Sequence, residues 1–407
     1  MKVLHVTREV RGDERFGMGR AVHQLVQGLR LSGVGALKFS AGDLSATMLD
    51  TAQRRALQWS QGAGGAQQLP LFEILSRAWH TGVEAAERIH LACKDDTYSG
   101  VTHVHCHDAV VAHGYLHRAG RRRLRFGVTQ HGYATISEVL HHHFMPLPEA
   151  LRRSLVSLEA GVFARADWVV FLTQLGRANV AAGLGRAPMQ MPRWFVVPHA
   201  KRPWRMPTRD AARQTLGWRA DERILLCVGQ FVPLKRMDWV VRAMQGVATP
   251  WRLVILGEGD ASALFRLAQE LEVAPPTITF ADDPSWHFAG ADAFTSASAT
   301  EAFPMAHIEA LQAGLPVACT AAGGVPELVG NAARLLANDA AAFAADLRDF
   351  LADPTERDAC ATRARQRMAS WPDIEDVAAR HIEIYRGLPQ GQRSNSISAP
   401  LSQLAQG

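Results

Sequence analysis

Cysteine and long apolar runs are both scarce in this sequence. No stretch of roughly 18 consecutive apolar residues occurs, so a membrane-spanning helix is not expected. The first eight residues mix apolar and charged side chains like a short strand, which is not the pattern of a signal peptide. The five cysteines show neither paired nor metal-type spacing, and they stand at Cys93, Cys106, Cys227, Cys319 and Cys360. An odd count argues against a disulfide framework and predicts a reducing, cytoplasmic location.

The length and the overall composition are those of an ordinary globular protein. A chain of 407 residues is long for one domain and comfortable for two domains of about 200 residues. Its hydrophobic fraction of 47% and its charged fraction of 20% fit a soluble protein with sizeable cores.

Positive charge is concentrated in the first half. Residues 1–200 contain 23 Lys and Arg against 15 Asp and Glu, whereas the remainder contains 21 against 24. A basic surface suits an anionic membrane or a nucleic acid. Nucleic acid is the less favoured partner, because aromatic residues are not interleaved with the basic ones. For the cluster Arg121–Arg125, membrane contact and a solvated loop remain equal alternatives.

Strand-like and helix-like segments alternate along both halves. This alternation predicts an α/β fold with parallel, doubly wound sheets. The polar segment 44–70 is interpreted as an insertion or mobile loop, and residues 389–407 as a disordered tail. The predicted domains are 1–198 and 199–370, with a helix at 371–388 crossing back to the first. The predicted strands are 3–7, 34–39, 101–105, 125–129, 168–173, 194–197, 224–228, 252–256, 277–280, 292–295 and 317–320.

The most informative segment is 298–316, where two carboxylates stand eight positions apart. A short apolar strand precedes Glu301, and a helix-forming run carries Glu309 and ends at Gly314. Glu301 is therefore expected in a loop at the carboxyl end of a strand, where ligands bind to α/β sheets. Backbone N–H groups near Phe303 and Met305 would face an anion, while the carboxylates accept from hydroxyls. This pairing favours a nucleotide sugar; the alternative is that Glu301 caps the helix and Glu309 is solvated.

Three features of this half together resemble the retaining glycosyltransferases of family 4, the glycosyl transferases group 1. They are Glu301-x7-Glu309 with Phe303-Pro304 after the first glutamate, Glu-Ala-Leu-Gln-Ala-Gly-Leu-Pro-Val from position 309, and Gly-Gly-Val-Pro-Glu-Leu-Val at 323–329. The resemblance is specific here and looser in the first half. It implies the GT-B fold, with two Rossmann-like domains facing across a cleft. On this resemblance, domain 1–198 would bind the acceptor and domain 199–370 the nucleotide sugar.

The resemblance also implies a function and a donor. The expected enzyme moves a hexosyl unit from a nucleotide diphosphate sugar, most readily UDP- or GDP-hexose, to a hydroxyl acceptor and retains the anomeric configuration. The expected acceptor is a lipid-linked or cell-envelope saccharide, and the expected place is the cytoplasm or the inner face of the membrane. No cofactor and no metal are expected, because lysine and helix N-termini offset the diphosphate charge.

Roles for the donor residues follow from the same resemblance. Glu301 would hold sugar hydroxyls and Glu309 the ribose, with Phe303, Pro304 and Met305 around them. Lys235, after a predicted strand, would bind the diphosphate; a solvated lysine is the alternative. The usual arginine of this motif is replaced by the neutral Gln230.

Glycine turns supply further candidates. Gly257 would close part of the nucleobase pocket, although a tight turn without ligand contact explains it nearly as well. Gly17 and Gly19 would form a donor-phosphate or acceptor loop, and alone they would be an ordinary turn. A dinucleotide-dependent oxidoreductase is not favoured, because the third glycine is missing and strand two closes at Ser40 without an acid.

Fourteen of the 17 histidines precede residue 201. His103, His105 and His107 alternate and would share one face of a strand, which suits either packing or a zinc site. The resemblance places His107 and Asp108 at the cleft and His131 beside the acceptor, with a packed or exposed histidine as the alternative. The run 141–143 is interpreted as a loop.

One competing class remains for the whole chain. Gln230 and the altered hinge at 198–201, where the family usually has Asn-Gly, motivate a non-catalytic GT-B scaffold that binds a nucleotide or saccharide. His199 therefore inherits no role from that motif. Lys201 and Arg236 are the candidates to replace the missing arginine charge.

Overall fold

The computed structural model describes residues 1–10, 17–63, 69–90, 96–120, 123–143, 146–185 and 193–387. These residues divide into two compact units. Of the described residues, unit 1 contains those from Met1–Ala200 and from 374–387, and unit 2 contains Lys201–Asp373. The predicted disordered tail at 389–407, Cys93, and Arg121 and Arg122 of the arginine cluster lie outside the described residues.

Unit 1 is built on a six-stranded parallel sheet with the strand order β2-β1-β3-β4-β5-β6. Its strands are β1 (Lys2–Thr7), β2 (Gly35–Ser40), β3 (His103–Cys106), β4 (Arg125–Gln130), β5 (Trp168–Phe171) and β6 (Trp194–Val196). The helices that follow them along the chain are α1 (Gly17–Leu31), α2 (Ala46–Ala63), α3 (Leu69–His90), α4 (Ala109–Ala119), α5 (Ile136–His143), α6 (Glu149–Arg165) and α7 (Gln174–Gly183).

Unit 2 repeats this architecture with the strand order β12-β11-β10-β7-β8-β9. Its strands are β7 (Ile224–Val228), β8 (Arg252–Leu256), β9 (Thr277–Thr279), β10 (Ala293–Ser296), β11 (Val317–Thr320) and β12 (Ala333–Leu336). Its helices are α8 (Arg209–Leu216), α9 (Met237–Ala243), α10 (Ser262–Glu270), α11 (Ser285–Gly290), α12 (Met305–Gln312), α13 (Val325–Val329), α14 (Ala340–Ala352) and α15 (Pro354–Ala369). All ten described strand pairings are parallel, which confirms the predicted fold class.

The last helix, α16 (Ile374–Arg386), follows unit 2 in sequence and packs on α1 in unit 1. Its buried face carries Val377, Ala378 and Tyr385. Gly28 on α1 allows a close approach, because a Cβ there would lie 2.5 Å from the carbonyl oxygen of Ile374. The core of unit 1 is therefore completed by the last described helix of the chain.

Of the two interpretations of 44–70, an insertion or a mobile loop, the mobile loop is wrong. Helix α2 occupies Ala46–Ala63, and α3 begins within the same segment. The buried face of α2 is made by Ala52, Ala56 and Ser60, four residues apart, rather than by large apolar side chains. Because this segment is polar and rich in alanine, its buried positions do not show the apolar periodicity by which a helix is recognised.

The loop interpretation of 141–143 is also wrong, since these residues end α5. Ile136 and Leu140 lie one turn apart and are both buried. Thr135 and Glu138 cap the start of the helix reciprocally: the Glu138 side chain accepts from the Thr135 N–H, and Thr135 Oγ1 accepts from the Glu138 N–H.

Two features of composition have a direct structural outcome. Cys106, Cys227, Cys319 and Cys360 are buried and form no disulfide in the described part of the chain. None of the helices built from the described residues is both long enough and apolar enough to cross a bilayer.

Candidate functional site

The candidate site in unit 2 is built around an ion pair between Lys235 and Glu301. Strands β7 and β10 are neighbours, so the loops that follow them leave the same edge of the sheet. The first loop ends in a short 3-10 turn that carries Lys235, and the second contains Glu301. The Lys235 Nζ donates to Glu301 Oε1 at 2.5 Å, and the Ala299 N–H donates to the Leu234 carbonyl at 2.8 Å. Two residues 66 positions apart are thereby joined.

Glu301 remains ionised within this pair. Burial alone would raise the pKa of its carboxyl, but the charge of Lys235 and hydrogen bonds from Lys235 and Ser298 outweigh burial and hold the pKa below its usual value. The side chain is only 11% exposed. The site therefore presents a fixed carboxylate beside a fixed ammonium.

Glu309 lies on α12 and is paired with an arginine that the sequence analysis did not single out. Arg202 Nη1 lies 3.2 Å from Glu309 Oε1. Arg202 is also tied to the same helix by its backbone, since its N–H donates to Gln312 and its carbonyl accepts from the Gln312 amide. The pair links positions 107 residues apart, so local sequence patterns carried no signal for it.

The two cations proposed to replace the missing arginine make other contacts. Arg236 donates to Asn338 Oδ1 at 2.5 Å and lies over the Trp239 ring at 4.2 Å. Lys201 Nζ donates to the Met368 carbonyl at 3.5 Å. Gln230 itself is exposed on the loop after β7.

Glycines let the loops of this site approach one another closely. A Cβ on Gly257 would lie 2.0 Å from the carbonyl oxygen of Gly229. Gly323 has φ +54°, and a Cβ there would lie 2.1 Å from the carbonyl oxygen of Glu301. Gly324 N–H donates to that same oxygen at 2.8 Å. The backbone of Glu301 is thus held by the turn after β11.

The residues between the two glutamates are packed inside unit 2. Phe303, Pro304 and Met305 are buried, and the Phe303 ring lies 6.2 Å from that of Trp371. One turn into α12, His307 Nε2 is 2.9 Å from the Ser296 hydroxyl. Burial lowers the pKa of His307 to about 4, so its ring is neutral at pH 7.

In unit 1 the predicted residues His105, His107 and His131 lie close together, and His5, which was not predicted, joins them. His5 on β1 is level with His105 on β3, and His107 and His131 follow β3 and β4. His5 Nδ1 and His107 Nε2 are 3.0 Å apart, and His107 Nδ1 and His131 Nε2 are also 3.0 Å apart. His131 and His199 are stacked, with ring centroids 5.4 Å apart.

Three of these side chains have the proximity of a metal site. The nitrogens of His5, His105 and His107 lie within 4.8 Å of one another. Both nitrogens of His105 are already engaged, however, at 2.7 Å from the Tyr385 hydroxyl and 2.7 Å from Thr129 Oγ1. Binding a metal through either nitrogen of His105 would break one of these two bonds. The arrangement fits a hydrogen-bonded imidazole cluster better than a set of metal ligands.

Desolvation keeps the imidazole cluster neutral at pH 7. The cluster also includes His381 on α16, whose ring centroid lies 5.6 Å from that of His105. Burial lowers the pKa of His5 and His199 to about 3 and that of His381 to about 4. Burial first, and then neighbouring histidines, place the pKa values of three more rings well below their usual range: His105, His107 and His131.

The other predicted residues of unit 1 have defined places. Asp108 caps α4, accepting from the Val110 N–H at 2.7 Å, and it pairs with Arg8 at 3.3 Å. Gly17 and Gly19 lie in the first turn of α1, and Gly17 has φ +35°. Phe16, before them, lies outside the described residues.

Comparison with known proteins agrees with the motifs. The family model described as "Glycosyl transferases group 1" matches residues 208–367. The D-inositol 3-phosphate glycosyltransferase of Kineococcus radiotolerans is 31% identical over 226 residues, which cover 48% of this chain and 51% of that protein. The chain spans about half the length of this curated relative.

Solved structures match over nearly the whole chain at low identity. Sucrose-phosphate synthase from Thermosynechococcus elongatus has a TM-score of 0.69 and 18% identity, covering 95% of this chain and 99% of that one. Anabaena HepE in complex with UDP and glucose has a TM-score of 0.66 and 15% identity, covering 95% and 100%. At such identities the likeness establishes the fold. Residues 208–367 therefore form a domain of the glycosyl transferases group 1, within a chain that has the GT-B fold.

Proposed function

We propose that this protein is a retaining glycosyltransferase that moves a hexosyl unit from a nucleotide diphosphate sugar to a hydroxyl acceptor. The observation that carries the proposal is the Lys235–Glu301 pair at adjoining strand ends, with the buried Glu309 on the next helix. Lys235, Glu301 and Glu309 all lie within the group 1 domain, residues 208–367. We assign the donor to unit 2 and the acceptor to unit 1.

The donor is held by charge and by hydroxyl acceptors. The Lys235 ammonium and the N-terminus of α12 offset the diphosphate charge, so this scheme needs no metal. Glu301 accepts hydrogen bonds from the sugar hydroxyls and Glu309 from the ribose. Gly257, Gln230 and the segment 303–305 complete the donor site.

The reaction is a front-face displacement at the anomeric carbon. The acceptor oxygen forms the new glycosidic bond as the bond to the diphosphate breaks, and the leaving phosphate oxygen takes the acceptor proton. In unit 1, His107, Asp108 and His131 stand on the acceptor side. Gly17 and Gly19, in the first turn of α1, are assigned to the donor phosphate, with the acceptor as the alternative. The neutral imidazole of His131 offers hydrogen bonds without adding charge.

UDP-hexose is the first donor to test, with GDP-hexose second. Anabaena HepE is described in complex with UDP-glucose, which supports a uridine donor here. The acceptor class is a lipid-linked or cell-envelope saccharide. The relatives named D-inositol 3-phosphate glycosyltransferase add inositol phosphate to the acceptor panel.

Binding and chemistry are tested in two steps. Thermal shift with UDP, GDP, ADP, dTDP and NAD identifies the base, since a ligand at 100 times its dissociation constant adds about 2.7 kcal/mol. Transfer from the matching sugar donor is then followed by NMR of the anomeric proton. Net inversion of configuration in the product would rule out the retaining scheme.

Gln230 supports one competing function, a non-catalytic GT-B scaffold. An exposed, neutral amide cannot supply the charge of the usual arginine. Nucleotide binding without transfer or donor hydrolysis would favour the scaffold. Turnover that disappears in the Lys235→Met variant would favour the enzyme.

The basic first half supports contact with an anionic membrane from the cytoplasmic side. On α2, Leu57 is 49% exposed and lies three residues after Arg54, on the same side of the helix. Apolar and cationic side chains on one helix suit a lipid surface. Sedimentation with phosphatidylglycerol vesicles tests this contact; binding that ignores lipid charge and salt would refute it.

A further inference from the structure

Glu159 is a fully buried carboxyl that the proposed mechanism does not use. It lies on α6 and is 0% exposed. Its two oxygens accept from different places: Oε1 from the Gln130 side-chain amide at 2.7 Å, and Oε2 from the Ile136 backbone N–H at 3.1 Å. Burying a carboxyl costs free energy unless hydrogen bonds offset it. The groups that hydrogen-bond to Glu159 therefore show which part of the fold it holds.

The two donors stand at the two ends of one short loop. Gln130 is the last residue of β4, and Ile136 is the first residue of α5. Between them lies the segment 131–135, which begins with His131. Gln130 reaches the same loop a second time, because its amide also donates to the Ala134 carbonyl at 3.2 Å. One carboxyl therefore fixes the start, the end and, through Gln130, the interior of the loop.

The rest of the loop fits this tight arrangement. Asn179 on α7 donates to the Tyr133 carbonyl at 3.1 Å. A Cβ on Gly132 would lie 3.1 Å from Val139 and 3.4 Å from the Ala134 oxygen, so a side chain there would press on the loop. On its other side, the His131 ring is held by His107. The His131 ring thus has two imidazole neighbours, His107 and His199, and Glu159 holds the residues at both ends of its loop.

We propose that Glu159 is a positioning residue: with Gln130 it holds the 131–135 loop so that the His131 imidazole meets the acceptor in the orientation that transfer requires. This inference rests on the proposed function, because it assigns His131 to the acceptor side. Glu159 touches no substrate and acts only through the loop. Its loss should therefore lower turnover and leave donor binding in unit 2 unchanged.

The carboxyl and the amide can be exchanged, which gives a test by rescue. In Glu159→Gln the new amide can accept from Ile136 only by turning its NH₂ towards the Gln130 amide, so two donors face each other. In the double variant Gln130→Glu/Glu159→Gln, the amide at 159 accepts from Ile136 and donates to the carboxyl at 130. Burial favours a protonated carboxyl at 130, whose O–H can donate to the Ala134 carbonyl. Every contact of the loop then has a partner again.

We expect kcat of Glu159→Gln to fall by about tenfold to hundredfold, as small misplacements near the chemistry do. The UDP dissociation constant should stay the same, and the exchanged double variant should regain much of the lost kcat. The matched control is Glu149→Gln, an exposed acid at the start of the same helix, which should match the wild type. Wild-type kcat in Glu159→Gln, or no recovery in the folded double variant, would overturn the inference.

Two further measurements keep the test decisive. If Glu159→Gln does not fold, Gln130→Leu removes the Oε1 bond and keeps the Ile136 bond; the same loss of kcat is expected, and wild-type kcat would count against the inference.

If the wild-type protein transfers no sugar, the proposed function fails first. Amide hydrogen exchange then decides the loop role: Glu159→Gln must speed exchange at 132–136 and the double variant must slow it, and unchanged exchange refutes it.

Discussion

Arg202 Nη1 lies 3.2 Å from Glu309 Oε1, and the two side chains are only 15% and 3% exposed. Arg202 also lies over the Trp204 ring at 4.2 Å and exchanges two hydrogen bonds with Gln312. The carboxylate proposed to bind ribose is therefore already compensated by a guanidinium from its own unit. A nucleotide reaching Glu309 meets a positive charge at the same place.

Removing Arg202 should destabilise unit 2. Arg202→Met removes the guanidinium that is paired with the buried Glu309 carboxylate, and breaking such a pair costs about 3–5 kcal/mol. Arg202→Met/Glu309→Gln should recover part of this loss, which urea unfolding of the four proteins in the cycle would measure. Arg205→Met, an exposed arginine three residues on, serves as the control. Additive effects of the two changes would contradict the pairing.

Removing Lys235 should affect both turnover and the state of Glu301. In Lys235→Met, burial acts on Glu301 without the offsetting ammonium, so the pKa of that carboxyl should rise. We expect kcat to fall by about 10²–10³-fold, as when one electrostatic contact to the leaving group is lost. Steady-state kinetics and a ¹³C titration of Glu301 measure the two effects.

The control for Lys235 removes a cation of the same unit away from the site. Arg242→Met deletes an exposed charge that pairs with Asp238, and its kcat should match the wild type. Comparable losses in Lys235→Met and Arg242→Met would indicate a general charge effect and contradict the site assignment.

Unit 1 should lose stability in mild acid. Burial lowers the pKa of His5 and His199 to about 3 and of His381 to about 4, while each unfolded histidine titrates near 6.5. The stabilisation is fully present above pH 6.5 and is lost as pH falls, because the unfolded chain then binds protons that the folded one excludes. Between pH 6.5 and the pKa of the folded protein, each such ring lowers the free energy of unfolding by about 1.4 kcal/mol per pH unit.

The measurement is the urea midpoint of each unit between pH 7.5 and 5, followed by probes specific to the two units. Unit 1 should show the steeper decline, since unit 2 contains only two histidines, His287 and His307, whose pKa is lowered. A midpoint for unit 1 that stays constant down to pH 5 would show that these rings do not exclude protons.

Gly323→Ala should be more damaging than a similar change at another glycine with positive φ. Its added Cβ would meet the Glu301 carbonyl at 2.1 Å, whereas at Gly217, with φ +66°, nothing lies within 4 Å. Gly217→Ala should cost only the backbone strain of about 1–2 kcal/mol. Gly323→Ala should cost more and weaken UDP binding, which unfolding and calorimetry would show. Equal costs at the two positions would contradict the role of Gly323 in holding Glu301.

The sheet strands were the most predictable part of the fold. Buried parallel strands such as β7 and β8 are continuous apolar runs between turn residues, and their bounds agree with the predictions. Helix α2 was not predictable in the same way, because Ala52, Ala56 and Ser60 bury little apolar surface each. Spacing alone is a weak signal when the spaced residues are small.

The candidate site was predictable where its residues follow strands. Lys235 and Glu301 were both expected at strand ends, although only the order of strands in the sheet shows that their ends adjoin. Arg202 and Glu159 were not predicted to matter. Their partners lie 107 and up to 29 positions away, and nothing in the neighbouring sequence marks either side chain as buried.

The position of α16 in the chain has a consequence for synthesis on the ribosome. Residues 201–373 of unit 2 emerge as one continuous stretch, whereas unit 1 lacks Tyr385, the partner of His105, until the segment that follows unit 2 has been translated. During that interval the face of α1 around Gly28, which packs against Ile374 and Ala378, is not covered by α16. The first unit to be translated is therefore the last to finish folding, and a stop codon near position 373 would leave its core open.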